Sequence, residues 1–273
     1  MPTATPYAGQ VAWVTGASSG VGAGLAHAFA EAGARVVLSA RRADALERVR
    51  AALPGTGHVV VPMDVTDLAA LPGRVAQVHA DCGRIDVLVA NVGVSQRSAF
   101  AETDFAVFRT IIEVNLLGVA AHLHAVLPVL RAQGGGHLVV TSSVAGKFGI
   151  PNRSAYCASK HAVHGLCDAL RAEHAHENIR VSTLVIAAVK SQVNANAFTA
   201  DGSKVGTGSR WAYSGGLDAT VAGRRMVAAL ARGEPEITVV PNWRAALPLW
   251  QQRLWPALVY RRMAKLARSK WWQ

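Results

Sequence analysis

Two hydrophobic patterns alternate along this chain. Short runs rich in valine, isoleucine and leucine occupy residues 11–15, 35–39, 58–62, 87–90, 137–142, 180–185 and 237–240, and their length and branching predict strands. Between them, residues 21–31, 43–53, 68–81, 105–130, 155–177 and 217–231 repeat apolar positions every three or four residues, which predicts helices with one buried face. Apolar strands separated by helices of this length need crossover connections, and these yield a parallel sheet covered on both sides. The expected fold class is α/β, a doubly wound parallel sheet of seven strands forming one domain over residues 1–240. In such a sheet ligands bind beyond the carboxyl ends of the strands, so chemistry is sought in the loops that follow them. Residues 201–216, rich in Gly and Ser and without a period, are expected to cover the substrate.

Composition narrows the class. Apolar residues make up 51% of the chain and charged ones 16%, which excludes a disordered polymer. No unbroken apolar run of about 18 residues is present, so no ordinary spanning helix is expected. The first residues lack a basic segment followed by an apolar one, so a secretory signal is not expected and the chain reads as cytoplasmic. Cys82, Cys157 and Cys167 lack the spacing of a metal site or a disulfide framework and read as reduced thiols, with no metal expected.

The net charge of +11 raises the question of an anionic partner, and its distribution answers part of it. Beyond Glu236 there is no acidic residue, whereas Arg244, Arg253, Arg261, Arg262, Lys265, Arg268 and Lys270 all follow. Residues 241–273 therefore form a basic C-terminal helical extension, in which Trp250, Leu254, Leu258, Met263 and Leu266 fall near helical spacing and Pro248 and Pro256 interrupt it. Aromatic rings interleaved with cations suit an anionic membrane surface and peripheral attachment. Packing of the same face on the domain or on another subunit fits the pattern equally well. Nucleic acid is not expected, because binding it would need cations and aromatics aligned along a groove.

The first strand runs into TGASSGVG, where Gly16, Gly20 and Gly22 stand between a strand and a helix start. Glycines allow the tight turn and close backbone approach, and free amides at a helix amino terminus attract a pyrophosphate. Gly16, Ser18, Ser19, Gly20, Val21 and Gly22 are thus candidates for cofactor contact, although a merely tight turn would use the same glycines. After the second strand, Arg41 and Arg42 follow Ser39 and Ala40, where a carboxylate would accept from a ribose 2′-hydroxyl. An arginine fork suits a 2′-phosphate instead, which favours NADP(H) over NAD(H). Two solvated arginines opening a helix are the other reading. In MDVTD, Asp64 can accept from an adenine amino group and Val65 can supply apolar contact, while Asp64 would serve equally as a cap.

YCASK sets Tyr156 and Lys160 four positions apart at a helix start, on one face. A neighbouring ammonium stabilises a phenolate, which makes Tyr156 a candidate proton donor to a carbonyl oxygen. Ser143, just past the fifth strand, can hydrogen-bond the same oxygen. A tyrosine and lysine four apart are also a common surface pair.

With TGASSGVG, ANVG, EVNLLG, SSVAG and YCASK in this order, about residues 9–240 resemble the classical short-chain dehydrogenase/reductase family. The resemblance implies a Rossmann-type fold and hydride exchange between a nicotinamide and a small carbonyl or alcohol, in a homodimer or homotetramer. It further implies that Asn115 completes a catalytic set with Ser143, Tyr156 and Lys160 by holding a water that links Lys160 to solvent. Lys160 would also bind the nicotinamide ribose, Asn91 and Gly93 would lie beside the cofactor, and Val189 and Ser191 would face the nicotinamide end. Two departures stand out: Ala90 and Val92 alter the usual Asn-Asn-Ala-Gly, and Ile186–Ala187 replaces the usual Pro-Gly. The second falls in the loop that shapes the nicotinamide pocket, and a sensor or scaffold that binds NADP(H) with little turnover is the alternative it leaves open. Alanine, valine and phenylalanine in residues 96–105 and 192–216 point to a lipophilic substrate.

Overall fold

The computed structural model describes residues 5–209 and 216–269. Strands β1 (Val11–Thr15), β2 (Arg35–Ser39), β3 (Val59–Val60), β4 (Val87–Ala90), β5 (Gly136–Ser143), β6 (Ile179–Ile186) and β7 (Glu236–Val239) form one sheet in the order β3-β2-β1-β4-β5-β6-β7. All neighbours run parallel, so the expected seven-stranded doubly wound sheet is the one found. Its winding reverses between β1 and β4, which is where a crevice opens at the carboxyl ends of the strands.

Helices α1 (Gly20–Glu31), α2 (Ala43–Ala51) and α7 (Ala219–Ala231) cover one face, and α3 (Leu71–Cys82), α5 (Gly118–Ala132) and α6 (Ser154–Glu173) the other. Alternate residues of β1 divide between these layers: Ala12 and Val14 pack under α1, whereas Val11 and Trp13 pack under α5. The Trp13 indole donates to the buried Ser39 hydroxyl at 2.8 Å, which leaves no polar cost to its burial.

Three expectations change. The edge strand β3 has two regular residues instead of the five expected, although the Val61 and Met63 amides still donate to the Leu38 carbonyl of β2 and the Ala40 carbonyl just past it, at 3.0 and 3.1 Å. Pro62 lies between them and presents no donor on the open edge. The single helix expected over 105–130 is α4 (Phe105–Ile112), a π turn at Glu113–Leu117 and α5. This run is long and apolar enough to cross a membrane, yet Val119, Leu123, Val126 and Leu130 are buried against the sheet as in any core helix. The expected tail is two helices, α8 (Trp243–Leu254) and α9 (Pro256–Ala267), packed on each other. Trp243, Trp250, Trp255 and Tyr260 remain 60–70% exposed, so packing on the domain does not cover the aromatic face.

Helices α1 and α7 approach closely: Gly24 and Gly223 meet backbone to backbone, and a Cβ on either would strike the other helix. Gly24→Ala should therefore cost about 1–3 kcal/mol, roughly 2–12 °C in melting temperature. Gly73→Ala, where a Cβ meets open space, should leave the melting temperature unchanged or raise it; thermal unfolding of the two variants checks the contrast.

Candidate active site

Gly16 and Gly20 adopt φ of 63° and 55° in the turn after β1, a backbone that favours glycine. Gly22 sits where a Cβ would run into the Gly16 carbonyl and the Asn91 side chain, so the turn closes onto β4. Ser19 caps α1 with extended backbone and no side-chain bond, so the first-turn amides of the helix keep their capacity for an anion.

Asn91 joins the strands on either side of the switch. Its amide nitrogen donates to the Thr15 carbonyl at 3.2 Å, its oxygen accepts from the Thr141 hydroxyl at 3.0 Å, and its backbone N–H donates to the Thr15 hydroxyl at 3.0 Å. β1, β4 and β5 are thereby locked in register at the crevice floor.

The crevice is a cleft of about 740 Å³. Gly16, Ser18, Ser19, Gly20, Val21 and Gly22 line it from β1; Arg41 and Arg42 line it from β2, and Asp64 and Val65 from β3. Asn91 and Gly93 line it from β4, Ser143 from β5, Tyr156 and Lys160 from α6, and Val189 and Ser191 from the loop after β6. The structure thus gathers these sequence-expected residues around one space. Asn115 lies behind it, fully buried on the π turn. There it accepts from the Val94 amide at 2.8 Å and donates to the Val94 carbonyl at 2.9 Å and the Ser159 hydroxyl at 3.0 Å. A Cβ added to Gly93 would lie 3.5 Å from both Asn115 Oδ1 and Lys160 Nζ, in ordinary contact, so Gly93 sits beside both groups.

The electrostatics of the site add a second cation beside Tyr156. Lys160 donates to the Thr141 carbonyl at 2.8 Å, and its burial brings its pKa down to about 8. The Tyr156 phenol is raised by removal from water, with Arg153 and the hydrogen-bonding Ser143 opposing that shift in part. Two cations flank the phenol at nearly equal range, the Arg153 guanidinium 5.8 Å and the Lys160 ammonium 5.9 Å from the ring centre, and the Lys160 bond to the Thr141 carbonyl uses one of its three donors. Burial pushes the Asp64 carboxyl up, but bonds from the Thr66 amide and hydroxyl at 3.0 and 2.8 Å, with the charge of Arg41, hold it below its usual range. It caps a turn rather than a helix.

Lys204 and Arg153 also line the cleft, and the sequence did not single them out. Lys204 arrives because Phe198 bridges both Gln96 and Lys204, folding residues 192–209 over the cleft with the ammonium 3.0 Å from the Phe198 ring centre. Spacing carries no signal for such a pairing. Arg153 had one available signal, its place at the start of the Tyr156 helix. Of the expected cover over 201–216, residues 210–215 lie outside the described residues.

Residues 10–202 match the family model of the short chain dehydrogenases. The chain belongs to the short-chain dehydrogenase family. This dehydrogenase is 38% identical over 265 residues to a Drosophila melanogaster protein named dehydrogenase/reductase SDR family protein 7-like, a match covering 95% of this chain and 81% of that one. Among solved structures it resembles a short-chain dehydrogenase from Streptomyces avermitilis with a TM-score of 0.80 and 29% identity, covering 96% of this chain and 98% of that one. A metagenomic short-chain oxidoreductase in complex with NADP is similar with a TM-score of 0.71 and 29% identity over 87% of this chain and 99% of that one.

The departure at Ile186–Ala187 has a local cost in this dehydrogenase. β6 ends at Ile186, the Ala187 amide bonds to the Val239 carbonyl at 3.1 Å, and Ala188 then takes φ 48°. Left-handed backbone costs a residue with a Cβ about 1–2 kcal/mol, and it persists because the Ala188 carbonyl accepts from the Leu217 amide at 2.9 Å. Ala188→Gly should raise stability by about 1 kcal/mol in chemical denaturation; a lower midpoint would show that the alanine is not strained.

Proposed function

We propose that this dehydrogenase is an NADP(H)-dependent oxidoreductase that interconverts a ketone or aldehyde with an alcohol, using Tyr156 as the general acid and base. The observation that carries this reading is the convergence of Ser143, Tyr156 and Lys160 on one end of a cleft whose other end holds Arg41 and Arg42.

The chain's own residues fit a dinucleotide. The uncapped first turn of α1 offers amides to a pyrophosphate, and Gly22 lets the backbone come close. Arg41, Arg42 and Lys204 supply positive charge where a 2′-phosphate would lie, and Asp64 is turned toward Thr66 rather than toward them. When bound, the nicotinamide supplies or accepts the hydride. Tyr156, a neutral phenol at pH 7, donates a proton to the substrate oxygen, and the Ser143 hydroxyl steadies the same oxygen as charge develops. Lys160 and Asn115, both beside Gly93, are the groups through which the proton is replaced. The apolar lining of Val94, Ile150 and Val193 supports a substrate with a lipophilic body. A homo-oligomer, dimer or tetramer, is the assembly this reading takes from the family.

The competing reading, an NADP(H)-binding sensor or scaffold, is favoured by the strained Ala188 beside the altered loop. Fluorescence titration separates them. NADPH should bind wild type at least tenfold more tightly than NADH, and Arg41→Ala should shrink that margin. Tyr156→Phe should keep NADPH affinity and lose about 10²–10⁴-fold in turnover on a carbonyl panel. NADPH binding without a Tyr156-dependent rate would make the protein a sensor, and no binding of either nucleotide would defeat both readings.

The tail supports a cytoplasmic protein attached peripherally to an anionic membrane, since Trp243, Trp250, Trp255 and Tyr260 are exposed amid cations. Liposomes rich in phosphatidylserine should pellet the full chain and not a chain ending at residue 240. Equal pelleting of both would end this reading, and a truncation that changed only the oligomeric state would give the tail to a subunit interface.

A further inference from the structure

Arg153 precedes α6 and lines the cleft beside Tyr156. Its Nη2 donates to Asn194 Oδ1 at 2.9 Å, while its buried Nε has no partner. The Arg97 guanidinium reaches the same Asn194 oxygen at 3.2 Å. Two cations therefore gather around one neutral amide.

Three effects oppose that arrangement. Burial lowers the Arg153 pKa, and burial together with the Arg153 charge brings Arg97 down to about 10. Arg153 is also the residue that caps α6, so its charge faces the positive end of the helix dipole. Among the described residues the titratable groups that act on Arg153 are the neutral Tyr156 phenol and Cys157 thiol and the like-charged Arg97, and none is a carboxylate. Residues 1–4, 210–215 and 270–273 contain no Asp or Glu that could supply one. A guanidinium held partly out of water without a counter-charge is costly, and a ligand that brings the charge removes the cost.

We propose that Arg153, fixed in place by Asn194, is a subsite for an anionic oxygen group of the substrate, a carboxylate or a phosphate. With Nη2 serving Asn194 and Nε closed off, the remaining terminal N–H groups of the guanidinium are the donors open to such oxygens. Ile150 and Val193 beside it leave the rest of the substrate apolar, so the substrate class is an acidic amphiphile bearing a carbonyl or alcohol rather than a neutral ketone. This deepens the oxidoreductase reading and rests on it for the carbonyl, though not for the anion.

Calorimetric titration with decanoate, decyl phosphate and decanol tests it, on wild type, Arg153→Gln and Arg153→Lys, with NADPH saturating so that Arg41 and Arg42 are already engaged. Wild type should bind at least one anion tenfold or more tightly than decanol. Arg153→Gln should lose that margin with decanol affinity unchanged, and Arg153→Lys should restore part of it. Preference for decanoate assigns a carboxylate, and preference for decyl phosphate assigns a phosphate. No anion preference in wild type, no binding of either anion, or a preference that survives in Arg153→Gln overturns the proposal. A variant that keeps its anion affinity and loses turnover on neutral ketones overturns it as well, since Arg153 would then act on the phenol alone. NADPH affinity in the same samples reports separately on the nucleotide reading; if it is absent in wild type, that reading fails while the anion titration stands on its own.

Discussion

The Asn91 side chain holds the site together. At the switch between β1 and β4 the two halves of the sheet lead their helices to opposite faces, and the crevice exists only while the carboxyl ends of β1, β4 and β5 stay level. One amide spans them, donating to Thr15 and accepting from Thr141, and Gly22 packs against it without a Cβ. The glycine turn on one side and Lys160, bonded to the Thr141 carbonyl, on the other are therefore referred to a common anchor. A displaced Asn91 would move both ends of the cleft at once.

Charge dominates what this frame encloses. Arg41, Arg42, Arg153, Lys160 and Lys204 line the cleft, and among the described residues Asp64, turned toward Thr66, is the one carboxylate that lines it with them. Such clustering resists folding, and burial already draws Lys160 down to about 8 and lowers Lys204. The fold tolerates it because the surrounding sheet is apolar on both faces and densely packed, so local strain is spread over a large core. A polyanionic ligand reverses the sign of these repulsions, which is why the excess of cations reads as part of a binding function.

The sheet was legible because its strands are short, apolar and separated by periodic helices, and TGASSGVG, ANVG and SSVAG fall at the carboxyl ends of β1, β4 and β5. What escaped was set by tertiary contact. The π turn at Glu113–Leu117 interrupts a run whose hydrophobic period is continuous, and only the bonds of Asn115 to Val94 and Ser159 show why the extra residue is there. Lys204 reaches the cleft through a bridge to Phe198, itself paired with Gln96 a hundred residues earlier in the chain, a relation that spacing cannot carry. Four-residue spacing brings Lys160 to the Tyr156 face, 5.9 Å from its ring centre, but does not say that the ammonium also bonds the Thr141 carbonyl or that Arg153 stands at a similar distance.

The two aromatic and basic features of the chain meet in one physical requirement. An acidic amphiphile partitions to an interface, with its charge at headgroup depth and its body in the acyl region. A protein that works on such a molecule gains from presenting tryptophans and arginines at the same surface, because the encounter becomes two-dimensional and the local ligand concentration rises. The exposed face of α8 and α9 and the Arg153 subsite would then answer the same chemistry at two scales, one recognising the surface and the other the molecule within it. The two are separable, since the tail lies beyond residue 240 and Arg153 within the domain, so each can lose its function without the other and the link between them rests on whether both respond to the same charge.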